Sequence, residues 1–557
     1  MIAQAIPEIP WAALSPELVL FGVGILVLLL ETAGEQRVLS SAVVAAVMTG
    51  GALLAVAQQM GAPAEGAESA AGPANGVLLP GLVVLGALTQ FALTWVWRHR
   101  PRVLSALLSA LGLLATLGTI VWQWVTYSEG GVIQPQSVLA DMVAVDGVAL
   151  FTRVIVCLAA LISIPLGWMY LEDRRVHRAE YYPLILFASV GMNLLASAAD
   201  LIMVFIAIEV LSLGLYVLSG FAVRDLTSQE SAFKYFLLGS FSSAILLYGI
   251  ALTYGVTGST NIAEAGRALT LAGGDALTLA AMGLLLVGFA FKTALVPFHM
   301  WTPDVYQGAP TPVTGFMAAG TKAAAFAAFV RVFTGAFAPL EWSWVPVLWT
   351  LAVITMMAGA VLAVVQTDVK RMLGYSAIAH AGYVLIGLIS VNASGVGGTM
   401  FYLLVYAVMS VGAFGVLSLI ERRQQRAVNI ADLRGLWRRN PVPTLMLGLF
   451  LFSLAGIPGT AGFMAKLAVF RAGLEAGQVA LVVVAVISSV IAAFFYLRVT
   501  VAMIMDDEPP ELAGEPPATL TVGVQAGLAL TGAVIVLLGV VPGVVVDLSA
   551  SAASLVR

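Results

Sequence analysis

The sequence predicts an all-α polytopic membrane protein with about sixteen transmembrane helices. Three observations carry that prediction. Of the 557 residues, 60% are hydrophobic and only 10% are charged, against roughly 25% charged in an ordinary soluble domain, and the mean hydropathy is +0.99. Apolar runs of about 20 residues recur along the chain, the length a helix needs to cross a hydrocarbon layer of roughly 30 Å. The basic residues between the runs fall on alternate loops, as the positive-inside rule requires of a chain that threads a bilayer repeatedly.

The runs lie near 14–31, 38–59, 77–97, 103–125, 147–170, 182–198, 200–222, 232–256, 277–298, 312–335, 345–366, 373–391, 398–420, 442–472, 478–502 and 522–546. The run 442–472 is too long for one straight span and contains Gly456-Ile457-Pro458-Gly459, so it reads as a broken helix. Pro297 does the same to the run 277–298. The stretch 61–76 is rich in Gly, Ala and Glu and reads as an outer loop, and 504–519, with Asp506, Asp507, Glu508 and several prolines, as an inner linker.

Arg37, Arg98, Arg100, Arg102, Arg174, Arg175, Arg178, Arg224, Lys370, Arg371, Arg422, Arg423, Arg426, Arg434, Arg438 and Arg439 all fall on one side of this threading. The opposite loops hold Arg267 and Arg471. One helix missed in the middle would break the alternation, so both termini are predicted outside. No signal peptide is read at the N-terminus, because the first basic residue, Arg37, follows the first apolar run.

Other chemistry is narrowed by composition. A net charge of −4 gives no basic surface for nucleic acid. The single cysteine, Cys157, excludes an internal disulfide and a four-cysteine iron–sulfur cluster. No Walker-type phosphate loop or dinucleotide-binding G-x-G-x-x-G opens a soluble βαβ unit. Redox or ATP-driven chemistry would therefore belong to partners.

The informative residues are the charges inside apolar runs, since an ionisable group at the bilayer centre costs at least a few kcal/mol. Glu209 sits in LIMVFIAIEVLSLGLYVL with apolar flanks too long to allow snorkelling. Lys234 lies near the inner end of its run, where snorkelling is the plain alternative. Lys292 stands five residues before Pro297, whose break would free carbonyls for water or an ammonium. Lys322 is surrounded by small residues, and Lys466 follows the second break. His299 and His380 are two further titratable groups, candidate members of a relay. Arg153 and Arg331 lie nearer helix ends and are expected to snorkel.

A single buried lysine has a structural account, whereas four or five on separate helices, with one glutamate, read as a relay. Burial disfavours a charged group and a nearby opposite charge restores it, so moving one group changes where a proton rests. The two broken helices echo weakly: Gly283, Ala290 and Phe298 recur at one constant spacing as Gly448, Ala455 and Phe463. Paired discontinuous helices are where transporters place ion sites. The predicted organisation is 1–180 as N-terminal helices, 181–335 and 345–503 as two five-helix repeats of opposite orientation, and 504–557 as linker and last helix.

Three blocks resemble a known family. FKTALVPFHMWTPDVYQGAPTPVTGFMAAGTKAAAF (291–326), DVKRMLGYSAIAHAGYVLIG (368–387) and SLAGIPGTAGFMAKLAVF (453–470) look like the signatures of the proton-pumping, antiporter-like membrane subunits of complex I and their Mrp relatives. The resemblance covers about 146–503. It implies that Glu209 pairs with Lys292, that Lys234 is an additional lysine one helix later, that Lys322 is the central lysine and that Lys466 is the lysine of the second broken helix. It also implies a proton-translocating subunit of a respiratory NADH-quinone oxidoreductase, with an Mrp-type Na⁺/H⁺ antiporter subunit as the alternative and a passive helix scaffold as the plainest reading. On the first reading the chain carries no cofactor, while FMN, iron–sulfur clusters and quinone belong to partner subunits. The expected neighbours are other membrane subunits and the lipid bilayer of a bacterial inner membrane. Relatives of this kind usually have about fourteen helices, so the two surplus runs, between about 60 and 130, are read as an insertion.

Overall fold

The computed structural model describes residues 10–32, 101–129, 132–174, 178, 180–424, 428–509 and 521–553. The predicted runs 38–59 and 77–97, the loop 61–76, most of the 504–519 linker, and Arg37, Arg98, Arg100, Arg175 and Arg426 lie outside them.

The helices follow the apolar runs. In order they are α1 (Ser15–Thr32), α2 (Pro101–Thr126), α3 (Gly147–Arg174), α4 (Tyr181–Ala196), α5 (Leu201–Ser219), α6 (Leu226–Thr257), α7 (Ile262–Ala272), α8 (Ala276–Thr293), α9 (Trp301–Gly308), α10 (Thr311–Phe316), α11 (Lys322–Gly335), α12 (Glu341–Val364), α13 (Val369–Ile389), α14 (Ala393–Gln424), α15 (Leu436–Arg439), α16 (Pro441–Ala455), α17 (Ala461–Glu475), α18 (Val479–Ile504), α19 (Val522–Val540) and α20 (Gly543–Ser551). A π-helical turn, Met317–Thr321, joins α10 to α11 without interrupting the rod. Among the described residues, eleven helices are long and apolar enough to cross a membrane, and three shorter apolar helices accompany them. The chain is thus a multi-pass helical membrane protein.

Acidic and amide side chains start several of these helices by accepting orphan backbone N–H groups. Asp200 caps α5 from Ile202 N, and Asp368 caps α13 from Arg371 N. Each aspartate also forms an isolated bridge with an asparagine farther on, Asp200 with Asn261 and Asp368 with Asn429. The two asparagines follow their aspartates at the same spacing, and each heads a short helix. This is a firmer internal echo than the three apolar matches read from the sequence.

Both predicted breaks are present. The first opens earlier than Pro297: α8 ends at Thr293, and Ala294 takes a left-handed φ of 65°. Leu295 N and Ala294 N close the end of α8 on the carbonyls of Ala290 and Phe291. The second opens at Gly456, φ 84°, between α16 and α17.

Packing places the charged helices at the centre. The rod Thr311–Gly335 is wholly buried, and α13 and α14 nearly so, whereas α6, α12, α18 and α19 keep broad apolar faces exposed. Helix α14 lies at the hub, touching α3, α10, α13, α16, α17 and α19.

Two features were not expected. The segment before α3 forms two short antiparallel hairpins, Ser128–Glu129 with Val132–Ile133 and Gln136–Val138 with Val143–Val145. Helix α7 is a short amphipathic helix between α6 and α8.

Candidate functional site

The polar groups of the interior form a series that starts at the face carrying Arg371 and runs along the middle of the protein. At that face, Lys234 on α6 is 39% exposed and its Nζ lies 2.6 Å from Glu230 and 2.7 Å from Asp304. Asp304, on the half-helix α9, also holds Arg371 of α13 at 2.6 Å, and Arg371 donates to Gln307 Oε1. Lys234 therefore belongs to a solvent-reaching ion cluster, two turns inside its helix rather than at the helix start.

At the first break, Lys292 occupies the last turn of α8 and is buried. Its Nζ donates to Ser212 Oγ on α5 at 2.7 Å and lies 5.5 Å above the Tyr235 ring. The expected Glu209–Lys292 ion pair is absent as a direct contact. Glu209 is one turn before Ser212 and half-buried, its Oε1 has no hydrogen-bond partner, and its charge still reaches Lys292 electrostatically. The hydroxyl of Ser212 takes the position beside the ammonium that a direct carboxylate contact would occupy.

The centre is Lys322, at the first residue after the π turn. A π turn widens a helix locally and shifts the register of the next side chains. Here Lys322 Nζ donates to the carbonyl of Ala377 on α13 and stands 5.7 Å over the Tyr406 ring of α14. Between Lys292 and Lys322, Tyr235 stacks on Trp301, whose ring meets buried Tyr306 edge-on. One turn beyond Ala377, His380 is held between two phenols, with Nδ1 2.6 Å from Tyr402 Oη and Nε2 3.2 Å from Tyr496 Oη. Tyr496 Oη in turn bonds Ser376. His380 is within electrostatic reach of both Lys322 and Lys466.

At the second break, Lys466 folds back from α17 onto the end of α16. Its Nζ donates to the carbonyl of Ala455 and to Ser489 Oγ, both at 2.7 Å, and lies 5.1 Å over the Tyr383 ring. Tyr383 Oη pairs with Ser488 at 2.9 Å. This is the freed-carbonyl arrangement expected of a lysine at a break, found at Lys466 and not at Lys292.

Lys292, Lys322, His380 and Lys466 are thus linked by a lane of hydroxyls and aromatic faces, with Glu209 at one flank and Lys234 at the surface. His299 is not part of it: it sits half-buried in the first break and its Nδ1 has no partner. The tyrosines and serines of the lane were not singled out from the sequence. Periodicity offered a signal: Tyr402 and Tyr406 share one face of α14, and Tyr383 shares a face with His380.

Arg153 and Arg331 correct the sequence reading. Neither snorkels. Arg153 is fully buried, 2.7 Å from Glu17, and donates to Gln123 and Ser197. Arg331 is 2% exposed and grips both oxygens of Asp146, at 2.6 and 2.8 Å, while donating to Ala196 O.

A helical membrane protein with two broken helices and ammonium groups at each defines an antiporter-like class, and comparison with known proteins agrees. The family model described as NADH:quinone oxidoreductase/Mrp antiporter, transmembrane, matches residues 198–492. The chain belongs to this family. It is 42% identical over 75% of its length to the NADH-quinone oxidoreductase subunit N of Trichlorobacter lovleyi, covering 86% of that protein. A chain in the structure of respiratory complex I from Thermus thermophilus with bound aureothin aligns with 83% of this chain and 98% of its own length at 36% identity and a TM-score of 0.68. A chain of the Mrp complex from Dietzia sp. aligns with 86% of this chain and 97% of its own at 24% identity and a TM-score of 0.72, a likeness of fold.

Proposed function

We propose that this chain is a proton-translocating membrane subunit of a respiratory NADH-quinone oxidoreductase. Kinship at the sequence level favours this over the antiporter reading, for which the likeness is one of fold. The observation that carries the mechanism is the lane itself: three buried ammonium groups, each anchored on a hydroxyl or carbonyl and each facing a tyrosine ring.

Electrons move in partner subunits that hold FMN, iron–sulfur clusters and quinone, and this chain carries protons. A proton enters from the cationic face at the Lys234–Asp304–Arg371 cluster. It is passed along Lys292, Lys322, His380 and Lys466, whose charged forms are sensitive to neighbouring charge because they sit in a low-dielectric interior. Glu209, half-buried one turn before Ser212, lies within electrostatic reach of Lys292. Residues 181–335 and 345–503 act as the two repeats, one around each break. The excess of Arg and Lys on one set of loops supports a cytoplasmic cationic face, with both termini outside a bacterial cell membrane.

The test is Lys322→Ala in the assembled complex reconstituted in vesicles. Proton pumping is expected to fall at least tenfold while the complex stays intact, the loss that ~1.4 kcal/mol or more on one transfer barrier produces. Pumping at the native ratio in intact Lys322→Ala and Glu209→Ala complexes would sink the relay and leave the charges as helix fasteners.

A further inference from the structure

The two arginines misread from the sequence converge on one place. Arg331 of α11 donates to the carbonyl of Ala196 and Arg153 of α3 donates to the hydroxyl of Ser197, consecutive residues at the C-terminal end of α4. A helix C-terminus carries partial negative charge, which favours both cations there. Each guanidinium also has its own carboxylate, Asp146 or Glu17.

Above this pair, on the face opposite the cationic one, a polar cavity of about 200 Å³ reaches down to Arg331. Its mouth is formed by exposed Ser137, Asp141, Glu264 and Arg267. At ~30 Å³ per molecule it has room for several waters. Its rim includes Asp141, the last of three consecutive non-glycine residues in the left-handed region, with φ of 57°, 53° and 61° from Leu139 to Asp141. Such backbone persists only where surrounding contacts hold it; here Asn261 Nδ2 donates to Asp141 O and Ser137 bonds the Asp141 carboxylate.

Below Arg331 the surroundings change completely. Lys322 is nine residues back along the same helix, about 14 Å at 1.5 Å per residue. Every residue of α11 between them is buried, and the space is filled by Phe326 and Phe329 with Phe289 of α8, whose rings stack. The cavity on that face thus comes within about three helical turns of a relay lysine and ends at a guanidinium.

The geometry points to Arg331, held by Asp146, as the proton barrier that closes this end of the first repeat. A hydrogen-bonded wire conducts only through groups that both take and give a proton. Arginine has no acceptor site and does not deprotonate in proteins. Asp146 does not extend the wire in its place: it is fully buried behind the guanidinium, turned toward Arg331 and Ala149 N, and does not line the cavity. Positive charge at a constriction repels an incoming proton as well. The barrier makes the first repeat accessible from the cationic face alone, so a proton at Lys322 leaves toward His380 and Lys466.

This inference rests on the relay reading, and a measurement without turnover separates the two. The assembled complex is reconstituted in proteoliposomes, a pH gradient is imposed, and its decay is followed with no NADH or quinone present. Arg331→Met with Asp146→Asn removes both charges together, so no unpaired charge is buried, and the amide retains the cap on α3. The passive proton leak is expected to rise about tenfold while NADH:quinone electron transfer continues. Arg331→Lys keeps a paired cation but one able to release its proton, and is expected to leak about threefold more than the native complex. An intact double variant as tight as the native complex overturns the barrier. If the double variant does not assemble, an Arg331→Lys complex with native tightness overturns it equally. Neither outcome bears on Lys322→Ala, which is read under turnover.

Discussion

The two broken helices are built alike and used differently. Each first half ends with a residue in the left-handed region, Ala294 after α8 and Gly456 after α16. At the first break the loosened carbonyls are consumed by the protein itself: Trp301 Nε1 donates to Phe291 O, and the next two amides take Ala290 and Phe291. Lys292 stands before the break and reaches sideways to Ser212 on another helix. At the second break one carbonyl, Ala455 O, is left for side chains, and Lys466, which stands after the break, returns to it together with Ser489. A break therefore does not dictate how a lysine is held. The side of the break on which the lysine stands decides it: before the break it needs a neighbour's hydroxyl, after the break it can reach back to the carbonyl that ends the preceding half-helix.

The largest expected effect falls on the packing that lets α17 return to α16. A Cβ at Gly462 would lie 1.8 Å from Ser453 O, a backbone atom that cannot swing aside. Gly462→Ala is therefore expected to cost about 3 kcal/mol or more, the upper end of overpacking penalties. The measurement is the yield of assembled complex, which should drop sharply. Normal yield would mean that the two half-helices are not held as closely as this contact requires.

Next come the hydroxyl partners. Ser212→Ala removes the one hydrogen-bond acceptor of Lys292 among the described residues, and an unmet buried polar group costs ~1–3 kcal/mol. Ser489→Ala leaves Lys466 its carbonyl. Proton pumping should fall about tenfold for Ser212→Ala and less than about threefold for Ser489→Ala. Equal losses would erase the distinction between the breaks.

These contrasts explain what the sequence could convey. A lysine inside an apolar run is conspicuous before its partners are known, because an ionisable group among apolar residues is costly and rare. So the five charges and both breaks were legible, as was the helix order among the described residues. The partners were not. Ser212, Tyr306 and Tyr496 are unremarkable in apolar sequence and matter only through contacts between distant helices. Arg331 looked like a snorkelling residue because its carboxylate, Asp146, stands 185 residues earlier in the chain. The hairpins before α3 escaped notice because strands of two or three residues have no period to read. The direct Glu209–Lys292 contact failed for a local reason: Ser212, one turn later on the same helix face, lies closer to the ammonium.

The smallest effect concerns the left-handed residues themselves, and it isolates the backbone from the side chains. Gly456 holds its φ without penalty, whereas an alanine there costs about 1–2 kcal/mol, and its Cβ would come within 3.0 Å of Lys466 Nζ. Ala294 already bears that conformational cost at the first break. Ala294→Gly relieves it but adds chain entropy to the unfolded state, about 0.5–1 kcal/mol in the opposite direction. Thermal stability of the assembled complex should therefore fall measurably for Gly456→Ala and shift little for Ala294→Gly. Pumping should separate the two further, because only Gly456→Ala displaces an ammonium from its carbonyl. A loss of pumping in Ala294→Gly as large as in Gly456→Ala would show that the conformation at the break, and not the lysine it seats, governs transfer there.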